Sequence, residues 1–126
     1  MNAFLSLGRW LFAIPFALFG LIHFMDAEQV TAMVPNYMPA KMAWVFLSGA
    51  GLIAASLSML FGKYDKLAAT VLAIMILLFA VLLHVPGAIA AGGFQFPMFN
   101  LVKDLTLAGA ALLYANYVAK DKRIIG

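Results

Sequence analysis

The chain has 126 residues, of which 66% are hydrophobic and 10% are charged, and its mean hydropathy is +1.03. A soluble domain of ordinary composition is about half apolar and about one-quarter charged, so water is excluded as the main solvent of the folded chain. The absence of cysteine excludes disulfides, thiol redox chemistry and cysteine-ligated metals. The net charge of +3 comes from scattered single basic residues, which is unlike a nucleic-acid-binding stripe.

Four apolar segments follow one another along the chain, at about residues 4–25, 42–61, 67–85 and 99–118. Each is long enough to cross a hydrocarbon layer of roughly 30 Å as an α-helix. We therefore predict an all-α fold, an integral membrane bundle of four transmembrane helices that forms a single domain over residues 1–126.

The distribution of lysine and arginine predicts the orientation of this bundle. With the N-terminus on the cytoplasmic side, six basic residues lie inside and two lie outside. The inside residues are Arg9, Lys63, Lys66, Lys120, Lys122 and Arg123, and the outside residues are Lys41 and Lys103. Because cytoplasmic flanks carry an excess of basic residues, we predict that both termini face the cytoplasm, in a multi-pass inner-membrane protein.

The connections differ between the two ends of the bundle. The inner connection, residues 62–66, is a short turn whose predicted role is only to join two helices. The two outer connections are longer, and they contain Pro35, Pro39, Pro86 and Pro97. Because proline removes a backbone donor and restricts the residue before it, we expect irregular segments that cover the outer mouth of the bundle.

Small residues recur every four positions on two of the predicted helices. They are Ala50, Ala54 and Ser58 on the second helix, with Gly51 and Ala55 beside them, and Ala111, Ala115 and Ala119 on the fourth. Such spacing lets the backbones of membrane helices approach closely. We predict that these positions form packing seams.

Four ionisable residues lie at or inside the predicted membrane boundaries: His23, His84, Lys103 and Asp104. Arg9 is a fifth, and we expect its long side chain to extend to the inner surface and to act only on orientation. In the predicted topology, both histidines and Asp104 occupy the outer half of the bundle. A carboxylate in hydrocarbon costs roughly 2.5–3.5 kcal/mol on insertion scales, so Asp104 needs a partner, and the imidazoles lie at matching depth.

Three interpretations of this outer cluster stay open. Asp104 and a histidine can hold two helices together, the cluster can contact the polar head of a quinone or a lipid, or the two histidines can ligate a haem. The haem is the weakest of the three, because two histidines at equal depth permit it without requiring it. For a ligand pocket, the predicted contacts are His23, His84, Lys103, Asp104 and Asn100. The sequence contains no nucleotide-binding loop, metal-ligand spacing or hydrolase motif, so we predict no catalytic or metal site.

A set of short motifs follows in order along nearly the whole chain. They are Gly8-Arg9, Gly20 with His23, Val34-Pro35 with Pro39, His84, Leu101-Val102-Lys103-Asp104-Leu105 and Gly109-Ala110-Ala111-Leu112-Leu113. In this combination the chain resembles the DoxX family of small four-helix membrane proteins. Many DoxX-like proteins carry a glutamate in the second helix, whereas the stretch Ser48-Gly49-Ala50-Gly51 has none.

The resemblance implies an inner-membrane protein associated with redox processes. Relatives in that family include the membrane subunit of an archaeal thiosulfate:quinone oxidoreductase. On this basis we expect an accessory subunit without catalytic activity of its own, which binds a quinone or a lipid at the outer cluster. Its expected partners are the lipid bilayer and a membrane or periplasmic redox protein, with self-association also open and nucleic acid excluded. The alternative is a structural or assembly protein without a ligand, whose polar residues only hold helices together.

Overall fold

The computed structural model describes residues 2–32, 34, 38–86, 89 and 96–121. All regular secondary structure in these ranges is helical. The helices are α1 (Asn2–Met25), α2 (Ala27–Thr31), α3 (Lys41–Phe61), α4 (Asp65–Phe79) and α5 (Phe96–Leu113). Two π-helical segments, Ala80–His84 and Tyr114–Val118, continue α4 and α5.

Four helical segments are long and apolar enough to cross a membrane, which confirms the predicted all-helical fold at that level. They are Ala3–Met25, Lys41–Phe61, Asp65–Leu83 and Met98–Val118. The long helices start at residues 2, 41, 65 and 96, whereas the predicted starts are 4, 42, 67 and 99. The short helix α2 occupies part of the connection between α1 and α3 and packs against α3, so that stretch is less irregular than predicted. Pro35 and residues 87, 88 and 90–95 of the two longer connections lie outside the described residues.

The helices pack in chain order, α1 on α3, α3 on α4 and α4 on α5. The core between them is built largely from alanine, with a few larger side chains such as Phe16, Met59 and Leu72. Large apolar side chains also cover the outer surface of each of these four helices, as Leu11, Leu47, Val71 and Leu105 do. Helices that are apolar on all faces are typical of a bundle surrounded by hydrocarbon.

The seam between α1 and α3 is formed by Gly20 and Gly49. A Cβ atom built on Gly20 would lie 2.7 Å from the carbonyl oxygen of Gly49, and one built on Gly49 would lie 2.7 Å from His23 Cβ and 3.1 Å from the carbonyl oxygen of Gly20. Contacts below 3 Å leave no room for a side chain, so only glycine permits this approach of the two backbones.

Only one of the two predicted small-residue seams is correct as a whole. Ala111, Ala115 and Ala119 are buried, as predicted. On α3, however, Ala50 and Ala54 are exposed, while Gly49 and Ala55 are buried. Because successive helix positions are about 100° apart, a seam that passes through Gly49 turns Ala50 toward the outside.

A buried side-chain hydrogen bond also joins α1 to α3. Ser56 is fully buried, and its hydroxyl donates to the carbonyl oxygen of Ala13 over 2.8 Å. We expect Ser56→Ala to lower the free energy of unfolding by about 1 kcal/mol, the scale of interhelical hydrogen bonds in membrane proteins. Titration of the detergent-solubilised protein with a denaturing detergent measures this loss. Ser6→Ala is the matched control, because the Ser6 hydroxyl is exposed and bonds within α1; equal losses in the two variants would contradict the assignment.

Candidate functional site

The predicted outer residues lie at the end of the bundle where α1 stops and α5 begins. On α5, Asp104 is only 5% exposed. Lys103 Nζ lies 3.7 Å from Asp104 Oδ1, although the Lys103 side chain is 44% exposed. The flexible stem of Lys103 allows this contact, although adjacent helix positions lie about 100° apart around the axis. Asn100 is partly exposed four residues before Asp104 and therefore lies on the same helix face.

The two predicted histidines lie at the same end of the bundle, His23 near the end of α1 and His84 at the end of the π segment that continues α4. The π segment Ala80–His84 packs against α5, so the chain at His84 lies beside the helix that carries Asp104. The side chain of His84 is outside the described part of the structure. His23 lies on the other side of this end, where its ring Nδ1 donates to the carbonyl oxygen of Phe19 over 2.7 Å and its Cβ adjoins Gly49. The structure thus groups Asn100, Lys103 and Asp104, which we call the Asp104 cluster, and a histidine partner for Asp104 stays a prediction.

A second polar cluster, which the sequence reasoning missed, lies at the opposite end of the bundle. Asp65, the first residue of α4, is fully buried. Its carboxylate accepts hydrogen bonds from the hydroxyl of Tyr114 at 2.9 Å and from the backbone N–H groups of Lys120 at 2.9 Å and Asp121 at 2.8 Å. Arg9 Nη2 lies 3.9 Å from the same carboxylate.

Arg9 also connects this network to α3. Its Nε donates to the carbonyl oxygen of Met59 over 3.1 Å, and its Nη2 donates to the same oxygen. The hydroxyl of Tyr114 also lies 3.2 Å from that oxygen. Arg9, Met59, Asp65 and Tyr114 belong to the four different candidate spans, so all four helical segments meet here. With the backbone of residues 120 and 121, these residues form the Asp65 cluster.

The predictions that Arg9 extends to the surface and that residues 62–66 only join two helices were therefore wrong. The Arg9 side chain is only 13% exposed, and its donors are directed at the interior of the bundle. The sequence does carry a signal for this arrangement. An arginine within an apolar run needs a counter-charge at its own depth, and Asp65 is the only acidic residue of the turn at residues 62–66.

The chemistry of the Asp65 cluster suits a structural role. Two backbone N–H groups, one hydroxyl and one guanidinium already surround the carboxylate, so its lone pairs are used within the protein. A buried charge in such a shell holds the surrounding elements in one arrangement.

An open groove of about 740 Å³ lies beside the Asp65 cluster, between α1 and the end of α5, and we call it the Arg9 groove. Phe12 and Tyr114 stack across it with their ring centroids 6.0 Å apart. Most of the other wall residues are apolar: Leu5, Trp10, Leu60, Leu113 and Val118. Its polar lining comes from Ser6, Arg9, Tyr114 and Lys120.

Among the comparisons with known proteins, the one with family sequence models finds a match. No curated protein and no solved structure matches the chain significantly. The sequence model of one family matches residues 12–95, which are 84 of the 126 residues. The matched range includes Asp65 and both histidines, and it leaves out Arg9 and Asp104. The chain therefore belongs to the family described as a domain of unknown function, DUF8561.

Proposed function

We propose that this chain is a multi-pass inner-membrane protein, with both termini in the cytoplasm, that serves as a non-catalytic accessory subunit of a membrane redox system. In this role it binds an amphipathic molecule, a quinone or a lipid, at the Asp104 cluster in the outer leaflet. The redox association rests on the resemblance to DoxX proteins, and the orientation rests on the excess of basic residues at the end that carries the Asp65 cluster.

The observation that carries the binding proposal is the burial of Asp104 within an apolar helix. Asp104 follows Met98, where the fourth candidate span begins, by six residues, which is about 9 Å along the helix axis. A carboxylate at that depth in hydrocarbon is costly, and ionisable residues inside membrane segments generally mark sites for ligands, ions or protons. Asp104 is therefore the residue around which we place the site.

The groups near Asp104 suit a ligand with a polar, oxygen-bearing head and an apolar tail. Lys103 supplies a cation and Asn100 supplies an amide that both donates and accepts, on the same stretch of α5 as Asp104. Carbonyl oxygens of a quinone ring and phosphate oxygens of a lipid are both acceptors for such donors. The adjoining Ala80–His84 segment is π-helical, a geometry that occurs frequently at functional sites.

Mass spectrometry of the small molecules retained by the detergent-purified protein tests this proposal. We expect a quinone or a lipid at near-stoichiometric yield from the wild-type chain, and the mass distinguishes the two. Asp104→Asn should reduce the retained ligand about tenfold, because it removes the charge that holds the Lys103 ammonium in place to donate to the ligand head, and hydrogen bonds that involve a charged group contribute roughly 1.5–3 kcal/mol. Glu28→Gln, an exposed change on α2 at the same end of the bundle, should leave the yield unchanged.

Two results would contradict the proposal. One is the absence of any quinone or lipid above the level that the detergent micelle carries. The other is an equal yield from Asp104→Asn and the wild type.

A second candidate is a structural or assembly protein without a ligand, and the Asp65 cluster favours it. There the buried charge is fully surrounded by protein donors, so polar residues of this chain demonstrably act between helices. If Asp104 has the same role, Asp104→Asn lowers the free energy of unfolding while no ligand is lost. The measurement described above, combined with a denaturation curve, separates the two functions.

A further inference from the structure

We propose that the Arg9 groove binds an anionic phospholipid from the leaflet that surrounds the Asp65 end of the bundle. This site lies at the opposite end from Asp104. It shares with the proposed function only the insertion of the four helices into a bilayer, on which it rests.

The shape and lining of the groove fit an acyl chain. Its volume of about 740 Å³ falls within the roughly 300–1,000 Å³ that is typical of small-molecule sites. On α1 it extends over residues 5–12, which is about 10 Å of helix. Phe12 and Ala110 line the part deepest in the bundle, and Lys120 lines the end where the spanning segment stops. A lipid can therefore enter from the side, with its chain along the apolar walls and its headgroup at Lys120.

Positive charge is concentrated at the end of the groove where a headgroup would lie. Arg9 Nη2 and Lys120 Cδ each lie 3.3 Å from the position of a Cβ atom on Gly62, so two basic side chains converge there. Asp65 offsets the charge of Arg9. Among residues 2–32, 34, 38–86, 89 and 96–121, no carboxylate forms an ion pair with Lys120. A phosphate group is the complement of this surplus, as it is for basic residues near anionic membrane surfaces.

Charge also argues for a lipid rather than a second copy of the chain as the occupant. Each copy carries a net charge of +3, and like charges at an interface oppose association. A lipid anion brings the opposite charge and needs no further surface on the protein.

The fluorescence of Trp10 reports on the groove, because Trp10 lines it. The sequence has one other tryptophan, Trp44, which lies at the opposite end of the bundle. The full-length Trp44→Phe variant is reconstituted into phosphatidylcholine vesicles that contain a small, equal fraction of brominated phosphatidylglycerol or of brominated phosphatidylcholine. Bromine on an acyl chain quenches tryptophan fluorescence on contact. We expect the brominated phosphatidylglycerol to quench Trp10 more strongly, with an enrichment of about fivefold beside the protein, the effect of one basic residue near an anionic lipid.

Two variants test the groove itself. Lys120→Gln keeps the backbone N–H that bonds Asp65 and should remove the preference for phosphatidylglycerol. Gly8→Leu places a side chain inside the groove, where an added Cβ meets no atom within 4 Å, and should reduce quenching by the anionic lipid to the level of phosphatidylcholine. Gly109→Leu is the matched control on α5, also without a neighbour within 4 Å and outside the groove, and should keep the preference.

Equal quenching by the two brominated lipids would overturn the proposal. So would a groove occupied by a second copy, recognised by a cross-linked dimer that Gly8→Leu abolishes while the lipid preference persists. The outcome is separable from that of the proposed function. If neither brominated lipid quenches Trp10, the helices are not in the bilayer and both proposals fail. If Asp104→Asn loses its ligand while no lipid preference exists at Trp10, only the groove proposal fails.

Discussion

Replacement of Asp65 by alanine is expected to lower the free energy of unfolding by about 3–5 kcal/mol, the range measured when one partner of a buried ion pair is removed. The variant leaves the guanidinium of Arg9 inside the bundle without its counter-charge. It also removes the acceptor from the Tyr114 hydroxyl and from the backbone N–H groups of Lys120 and Asp121. Equilibrium unfolding of the purified protein in mixed micelles, followed by circular dichroism, measures the loss.

Asp26→Ala is the control for this experiment, because Asp26 is exposed at the start of α2 and its side chain makes no capping hydrogen bond. It should shift the unfolding free energy by less than about 0.5 kcal/mol, as surface substitutions generally do. Tyr114→Phe, which removes one donor and keeps the ring stacked on Phe12, should fall between the two. An Asp65→Ala protein as stable as Asp26→Ala would show that the Asp65 cluster does not hold the bundle together.

Gly20→Ala is expected to destabilise the bundle by about 2–3 kcal/mol, at the upper end of the usual cost of overpacking. The added Cβ would lie 2.5 Å from Ile53 Cγ1, 2.7 Å from the carbonyl oxygen of Gly49 and 3.1 Å from the backbone nitrogen of Ile53. The isoleucine side chain can rotate away, but the two backbone atoms cannot, so α1 has to move away from α3. The same unfolding measurement detects the loss.

Gly109→Ala provides the opposite expectation with the same chemical change. No atom lies within 4 Å of its added Cβ, and alanine is favoured over glycine in a helix by roughly 0.5–1 kcal/mol. We therefore expect a small gain in stability. A loss at Gly109 as large as the loss at Gly20 would mean that helix propensity or detergent effects, rather than the close approach of two backbones, dominate the result.

The four long apolar helices could be predicted from the sequence because their cause is local. Helices that cross hydrocarbon satisfy their own backbone hydrogen bonds, and their length and apolar character are visible in one continuous stretch. The face that each helix turns toward its neighbour could not be predicted in this way, because it depends on the neighbouring helix. On α3 the regular spacing of Ala50 and Ala54 indicated the wrong face, because the position of the seam depends on Gly20 of another helix.

The contacts of the polar groups likewise depend on how different helices pack together, which a single stretch of sequence does not show. The pairing of Arg9 with Asp65 joins residues that are 56 positions apart, and residues 62–66 look like an ordinary polar turn when they are considered alone. The place of Asp104 within the fourth apolar segment is visible in the sequence, and in the structure its side chain is buried. The position of His23 beside α3 could not, because it follows from the packing of α1 on α3.

The Asp65 cluster also affects the order in which the helices assemble during synthesis of the chain. The chain is synthesised from its N-terminus, so Arg9, Met59 and Asp65 are all present before Tyr114 and the N–H groups of residues 120 and 121 exist. Until then the Asp65 carboxylate lacks three of its hydrogen-bond donors. We expect the first three spanning segments to remain loosely associated during synthesis, and the arrival of residues 114–121 to be the event that fixes them into one bundle.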